Sequence, residues 1–253
     1  MTDTEDNGLW VRRFHPAPTP SARLVCLPHA GGSASYYFPV SAALAPDVEV
    51  LAVQYPGRQD RRHEPCIDDI QELAEKVYAA LLPWTDRPLA LFGHSMGASV
   101  GFEVARLLEH RAGVVPAALF PSGRRAPSRH RDENVHAQGD QRLIQEIQRL
   151  SGTEARLLDD PEVLRMALPA LRADYKAAET YRYVPGPDLS CPITAFVGDA
   201  DPKALIEEAA DWAAHTTGPF EMKVYGGGHF FLNDHSRAIV ANIADALRAP
   251  AAV

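Results

Sequence analysis

Apolar residues recur along the chain in two alternating patterns, short continuous runs and stripes spaced three or four residues apart. Helical spacing occupies several intervals between the runs, among them 67–82, 96–109 and 234–248. This alternation predicts an α/β fold, a mostly parallel, twisted sheet with helices on both faces. The seven runs with the length and composition of strands are 10–14, 23–27, 49–54, 89–92, 117–121, 193–197 and 221–225.

One interval interrupts the alternation. Residues 124–190 contain no convincing strand, but 141–150 and 161–175 show helical spacing, and Asp160-Pro161-Glu162 has the composition of a helix start. We expect two amphipathic helices, inserted between two strands, that form a lid over the strand ends. The expected parts of the chain are therefore a first core part, 1–123, a helical lid insertion, 124–190, and a second core part, 191–253.

A serine between two glycines lies where the fourth run ends and a helical pattern begins. The segment is Gly93-His94-Ser95-Met96-Gly97. A strand that turns into a helix around Gly-x-Ser-x-Gly is the nucleophile elbow of an α/β-hydrolase. Glycines are needed on both sides because side chains there would collide with neighbouring elements. The pattern predicts an α/β-hydrolase fold with Ser95 as the nucleophile.

A serine hydroxyl becomes a good nucleophile only beside a base that is oriented by a carboxylate. In this fold both follow the serine, the acid first. His229 comes after a Gly-rich turn at the end of the last predicted strand, and it is the predicted base among ten histidines. Asp199 and Asp201 both follow the run 193–197 and compete for the role of acid. We favour Asp201, since Asp199 directly follows the turn glycine and can stabilise that loop.

Acyl transfer also needs two backbone N–H groups directed at the oxygen that becomes negative. One is expected from Met96, the residue after the nucleophile. The other is expected from the loop after the run 23–27, where two consecutive glycines allow the backbone to approach a substrate closely. Ala30, directly before those glycines, is the predicted donor.

Composition narrows the class of function. The chain has 253 residues, 46% hydrophobic and 23% charged, which suits one large enzyme domain. A net charge of −8 argues against a nucleic-acid binder. No apolar run approaches the roughly 18 residues of a membrane span, and the acidic start is unlike a secretion signal, so a cytoplasmic protein is expected. Three widely spaced cysteines suit free thiols, and no cluster has metal-ligand spacing.

Taken together and in order, these segments resemble the type II thioesterases that accompany modular polyketide and nonribosomal peptide synthetases. The resemblance runs nearly end to end and also rests on 54–58, 122–127 and 171–175. It implies a free-standing enzyme, expected as a monomer without a cofactor of its own, that hydrolyses acyl groups from the phosphopantetheine arm of acyl or peptidyl carrier proteins. It also implies a triad of Ser95, Asp201 and His229, with Ala30 and Met96 in the oxyanion hole.

Other interpretations remain open at this point. A general carboxylesterase or lipase would share every catalytic group named above, and a non-catalytic hydrolase-fold binding protein would share the fold. The acyl chain that is preferred, and the synthetase that is served, cannot be predicted. A basic cluster either docks an acidic carrier domain or forms an ordinary solvated turn; its members are Arg124, Arg125, Arg129 and Arg131.

Overall fold

A seven-stranded sheet forms the centre of the chain, which the computed structural model describes over residues 8–151 and 160–248. The strands are β1 (Val11–Arg12), β2 (Ala22–Leu27), β3 (Val48–Val53), β4 (Leu89–His94), β5 (Leu119–Ser122), β6 (Ile193–Gly198) and β7 (Phe220–Tyr225). Their order is β1-β3-β2-β4-β5-β6-β7, with β1 antiparallel to β3 and all other neighbours parallel. The predicted α/β-hydrolase fold is confirmed, although β1 is shorter than the run 10–14.

Helices connect most of these strands. They are α1 (Phe38–Leu44), α2 (Ile70–Leu81), α3 (Met96–Ala112), α4 (Asp140–Ser151), α5 (Pro161–Thr180), α6 (Ile206–Ala210), α7 (Phe231–Asp234) and α8 (Ser236–Arg248). Helix α2 begins later than predicted because the Asp69 carboxylate accepts the N–H of Glu72 at 2.8 Å and so caps it. No helix within 8–151 and 160–248 is both long enough and apolar enough to cross a bilayer.

The two faces of the sheet carry separate apolar cores. On β2, Val25 and Leu27 pack in the core that contains α2 and α3, while Leu24 and Cys26 pack in the core that contains α1 and α8. Successive side chains of a strand point to opposite faces, so a strand covered on both sides is apolar throughout. This is why β2 is buried along its whole length and reads as a continuous run in the sequence.

The predicted insertion supplies α4 and α5, between β5 and β6 in the chain. The Asp160 carboxylate accepts the N–H of Glu162 at 2.8 Å and caps α5, as the sequence predicts. Leu143 of α4 and Leu171 of α5 form a small core of their own, and Ala30, in the loop after β2, packs against it. The described part of the insertion, with α4 and α5, therefore covers the loop that follows β2.

Helix α3 packs closely against β2, and two glycines of the helix, Gly97 and Gly101, face Leu27 of β2. Substitutions at these two positions can therefore test how close the contact is. A Cβ on Gly97 would lie 2.1 Å from the carbonyl oxygen of Leu27, which is fixed in the sheet. A Cβ on Gly101 would lie 3.2 Å from Cδ1 of Leu27, a side-chain end that can shift. We expect Gly97→Ala to lower the free energy of unfolding in urea by about 2 kcal/mol or more.

Gly101→Ala serves as the matched control. We expect it to change the free energy of unfolding by less than about 1 kcal/mol, because the gain in helix propensity offsets the small displacement of Leu27. Equal losses in the two variants would contradict the close backbone contact at Gly97.

Candidate active site

Ser95 occupies the turn between β4 and α3, with φ 54° and ψ −117°. A positive φ is strained for a residue with a side chain and persists only where the surroundings impose it. Here they do, because a Cβ on Gly93 would lie 2.1 Å from the carbonyl oxygen of Gly97. The N–H of Ser95 also donates to the carbonyl oxygen of Ser122 on β5 at 2.8 Å. The turn has the close approach that the elbow pattern predicts.

His229 lies within hydrogen-bond distance of both Ser95 and Asp201. Its Nε2 is 3.0 Å from Oγ of Ser95, and its Nδ1 is 2.9 Å from Oδ2 of Asp201. The side chains of His229 and Asp201 are buried, with exposed fractions of 3% and 0%. A carboxylate at Nδ1 favours the tautomer whose proton is on that nitrogen, so Nε2 can accept the serine proton.

The structure also separates the two candidate acids. Asp199 is exposed, and its Oδ1 accepts the N–H of Gly227 at 2.8 Å, so it links the loop after β6 to the turn before His229. Asp201 is the carboxylate that reaches the imidazole, and its Oδ1 also accepts the N–H of Lys203 at 2.8 Å. The favoured candidate thus lies at His229, while Asp199 has the loop-stabilising contact considered for it.

The N–H groups of Met96 and Ala30 have no acceptor among residues 8–151 and 160–248. Met96 is the first residue of α3, where N–H groups lack partners within the helix. Ala30 lies in a tight turn in which the N–H of Gly32 donates to the carbonyl oxygen of His29 at 2.9 Å. Both N–H groups are therefore unused within the described part of the chain, as the predicted oxyanion role requires.

The sequence reasoning missed an aromatic cluster around the imidazole. The ring centroids of His94 and His229 are 5.0 Å apart, and those of His29 and Phe230 are also 5.0 Å apart. Burial, together with the positive charges of His229 and Arg58, lowers the pKa of His29 to about 3. Burial lowers the pKa of His94 well below its ordinary value. The sequence does contain a signal for their place at the site, because His29 directly precedes Ala30 and His94 directly precedes Ser95.

Lys203 connects the loop of Asp201 to the insertion. Its Nζ is 2.7 Å from Oε1 of Glu133 and 2.8 Å from Oε1 of Glu146, which lies on α4. Burial raises the pKa of the Glu146 carboxyl, but the hydrogen bonds and charges of Arg149 and Lys203 outweigh it and hold this pKa at about 2. The insertion is thus tied by an ion pair to the residue two positions after Asp201.

The arginines of the basic cluster, for which a docking role and a solvated turn were both considered, have partners within the chain. Arg125 is almost fully buried and pairs with Glu133 at 2.7 Å. Arg131 donates to Glu208 at 2.8 Å, and Arg129 pairs with Asp211. Burial lowers the pKa of Arg124 to about 10, and its guanidinium donates to the carbonyl oxygen of Ala178. Glu208 and Asp211 lie far along the chain from Arg131 and Arg129, which the local charge pattern could not reveal.

Comparison with known proteins gives concordant results. The profile of the family described as "Thioesterase domain" matches residues 22–247. "Thioesterase PikA5" of Streptomyces venezuelae is 59% identical over 98% of this chain and 89% of that protein. "Probable cadicidin biosynthesis thioesterase" of Streptomyces griseus is 53% identical over 100% of this chain and 71% of that protein. The structure of "the type II thioesterase BorB from the borrelidin biosynthetic cluster" superposes with a TM-score of 0.91 at 52% identity, covering 95% of this chain and 98% of BorB.

The different positions of the two aspartates predict different kinetic effects. Asp201→Asn would favour the wrong imidazole tautomer, so we expect kcat for a chromogenic ester to fall by about 10³–10⁴-fold. Asp199→Asn is the matched control, and we expect it to lower kcat by less than about tenfold, since it changes only a loop contact. Comparable losses in the two variants would show that Asp201 has no special role at His229.

The buried histidines predict a loss of stability in acid. The folded state keeps His29 neutral down to about pH 3, whereas the unfolded chain takes up this proton near the ordinary pKa of 6.5. The stabilising contribution is therefore complete above that value and is lost as the pH falls through this interval, at up to about 1.4 kcal/mol per pH unit.

The variant His29→Phe preserves a ring beside Phe230 and removes one titrating group. We expect its free energy of unfolding, measured in urea between about pH 6 and pH 4, to depend less steeply on pH than that of the wild type. An unchanged slope would mean that His29 is protonated in the folded protein.

Proposed function

The chain belongs to the thioesterase family as a type II thioesterase, and from this premise we propose that it hydrolyses acyl groups from the phosphopantetheine arm of carrier proteins. The observation that supports a hydrolytic role most directly is the hydrogen-bonded series Asp201–His229–Ser95 at the strand ends. The relatives support the substrate class, since one is named for cadicidin biosynthesis and another is a type II thioesterase from the borrelidin biosynthetic cluster. The proposed task is to clear acyl groups that stall a polyketide or nonribosomal peptide synthetase.

The first step forms the acyl-enzyme. Oγ of Ser95 attacks the thioester carbonyl carbon while Nε2 of His229 accepts the hydroxyl proton. The carbonyl oxygen becomes an oxyanion, which the N–H groups of Ala30 and Met96 bind. The carbon–sulfur bond then breaks, and the imidazolium returns its proton to the departing thiolate. Asp201 holds the ring in place and stabilises its positive charge throughout.

The second step releases the acid. Nε2 of His229 accepts a proton from water, whose oxygen bonds to the acyl carbon and regenerates the oxyanion. Collapse of this intermediate breaks the bond to Oγ of Ser95, which recovers its proton from the imidazolium. Every group that acts on the substrate in these two steps belongs to the chain itself or to water. We therefore propose that the enzyme has no cofactor and that the pantetheine arrives on its protein partner.

The decisive experiment uses a purified carrier protein loaded with a series of acyl groups. We expect mass spectrometry to show loss of the acyl group and a free thiol on the arm after incubation with the enzyme. Ser95→Ala should leave the carrier acylated, since losing the nucleophile typically lowers kcat by about 10⁶-fold. Persistence of the acyl group with wild-type enzyme across the series would refute the proposed substrate class.

A pair of substrates matched in their acyl group distinguishes this function from that of a general esterase. We expect a higher kcat/KM for an acyl carrier protein thioester than for an oxygen ester of the same acyl group. A preference for the oxygen ester would favour the carboxylesterase interpretation. Full turnover by Ser95→Ala would instead favour chemistry outside this site.

A further inference from the structure

Two segments that the mechanism leaves unused, 54–58 and 171–175, meet in a buried ion pair. Nη1 of Arg58 is 2.6 Å from Oδ2 of Asp174, and Nη2 is 2.8 Å from Oδ1. The exposed fractions of the two side chains are 8% and 0%. Two parallel charge-assisted hydrogen bonds of this kind fix both the distance and the angle between the groups. The pair joins the loop after β3 to helix α5 of the insertion.

The same two side chains hold the backbone of the loop after β2. Oδ2 of Asp174 accepts the N–H of Gly31 at 2.7 Å. Nη1 of Arg58 donates to the carbonyl oxygen of Gly32 at 3.2 Å. Asp174 therefore binds an N–H of the loop and Arg58 binds a C=O of the loop. Both groups directly follow Ala30, the proposed oxyanion donor.

These contacts determine the form of the turn. The hydrogen bond from Gly32 to His29 closes a four-residue turn whose third residue, Gly31, has φ +76°, while Ala30 does not have positive φ. That combination defines a type II turn, which differs from type I by a flip of the central peptide. The central peptide here joins Ala30 to Gly31. The hydrogen bond that the N–H of this peptide donates to Asp174 holds the peptide in the observed direction.

We propose that Asp174 and Arg58 are positioning residues for the oxyanion site, an inference that rests on the proposed function. By anchoring the N–H of Gly31 and the C=O of Gly32, they hold in place the turn that carries the N–H of Ala30. Because Asp174 lies on α5, the turn has this support only while α5 lies against it. Leu171 makes that contact close, since a Cβ on Gly31 would be 2.3 Å from its Cδ2. Assembly of the oxyanion site is therefore coupled to docking of the insertion.

Single substitutions would leave a buried charge without a partner and would destabilise the fold. The test therefore compares two double variants, both without the ion pair. In Arg58→Met/Asp174→Asn the amide oxygen can still accept the N–H of Gly31. In Arg58→Met/Asp174→Leu, which has a side chain of similar size, that acceptor is missing. The comparison isolates the hydrogen bond to the turn.

We expect the variant with leucine to have a kcat at least about tenfold lower than the variant with asparagine, with KM changed by less than about threefold. The affinity for a trifluoromethyl ketone analogue of the acyl group should fall in parallel, since its oxyanion occupies the same site. A merely structural role would lower the melting temperature without this separation between kcat and KM.

Lys176→Met is the control on the same helix. It removes the exposed pair between Lys176 and Asp68, and we expect wild-type kcat and inhibitor affinity. Equal kcat and equal inhibitor affinity in the two double variants would overturn the proposal. If the variant with leucine fails to fold, Arg58→Met/Asp174→Ala gives the same comparison with less bulk. An oxygen ester serves as a second substrate, so the comparison remains decisive even if carrier-bound thioesters are not hydrolysed.

Discussion

The close approach of β2, β4 and α3 is the constraint on which the site depends. The backbone of α3 lies against the carbonyl oxygen of Leu27, so that only glycine fits at position 97. The turn between β4 and α3 holds Ser95 at a positive φ. Strain of this kind costs about 1–3 kcal/mol and persists only in a rigid surrounding. The two apolar cores on the faces of the sheet provide that surrounding. The strained conformation of Ser95 at the strand ends is thus stabilised by the packing of apolar side chains on both faces of the sheet.

The insertion makes polar contacts, a hydrogen bond and an ion pair, with two of the loops that form the site. Asp174 of α5 holds the loop after β2, and Glu146 of α4 pairs with Lys203 beside Asp201. The carboxylates of both helices are directed at polar groups of the core, while Leu143 and Leu171 supply the apolar contact between the helices. The insertion and the core consequently share a polar boundary as well as an apolar one.

The fold and much of the site could be predicted because their signals are local. A strand covered on both faces is a continuous apolar run, and the elbow at Ser95 combines a motif with the elements around it. Contacts between distant segments have no such signal. Arg58 and Asp174 are 116 residues apart, and nothing near either residue indicates its partner. The ion pairs of Arg129 with Asp211 and of Arg131 with Glu208 likewise join distant segments, and the local charge pattern indicates neither partner.

The hydrogen bond between Asp174 and Gly31 has a reciprocal thermodynamic consequence. If docking of α5 improves the fit of the loop to a reaction intermediate, an intermediate in the site must strengthen docking of α5 by the same free energy. Formation of each oxyanion would then strengthen docking of α5, and its collapse would weaken it again. Asp174 would thus couple the reaction intermediate to the position of the helix without touching the acyl group.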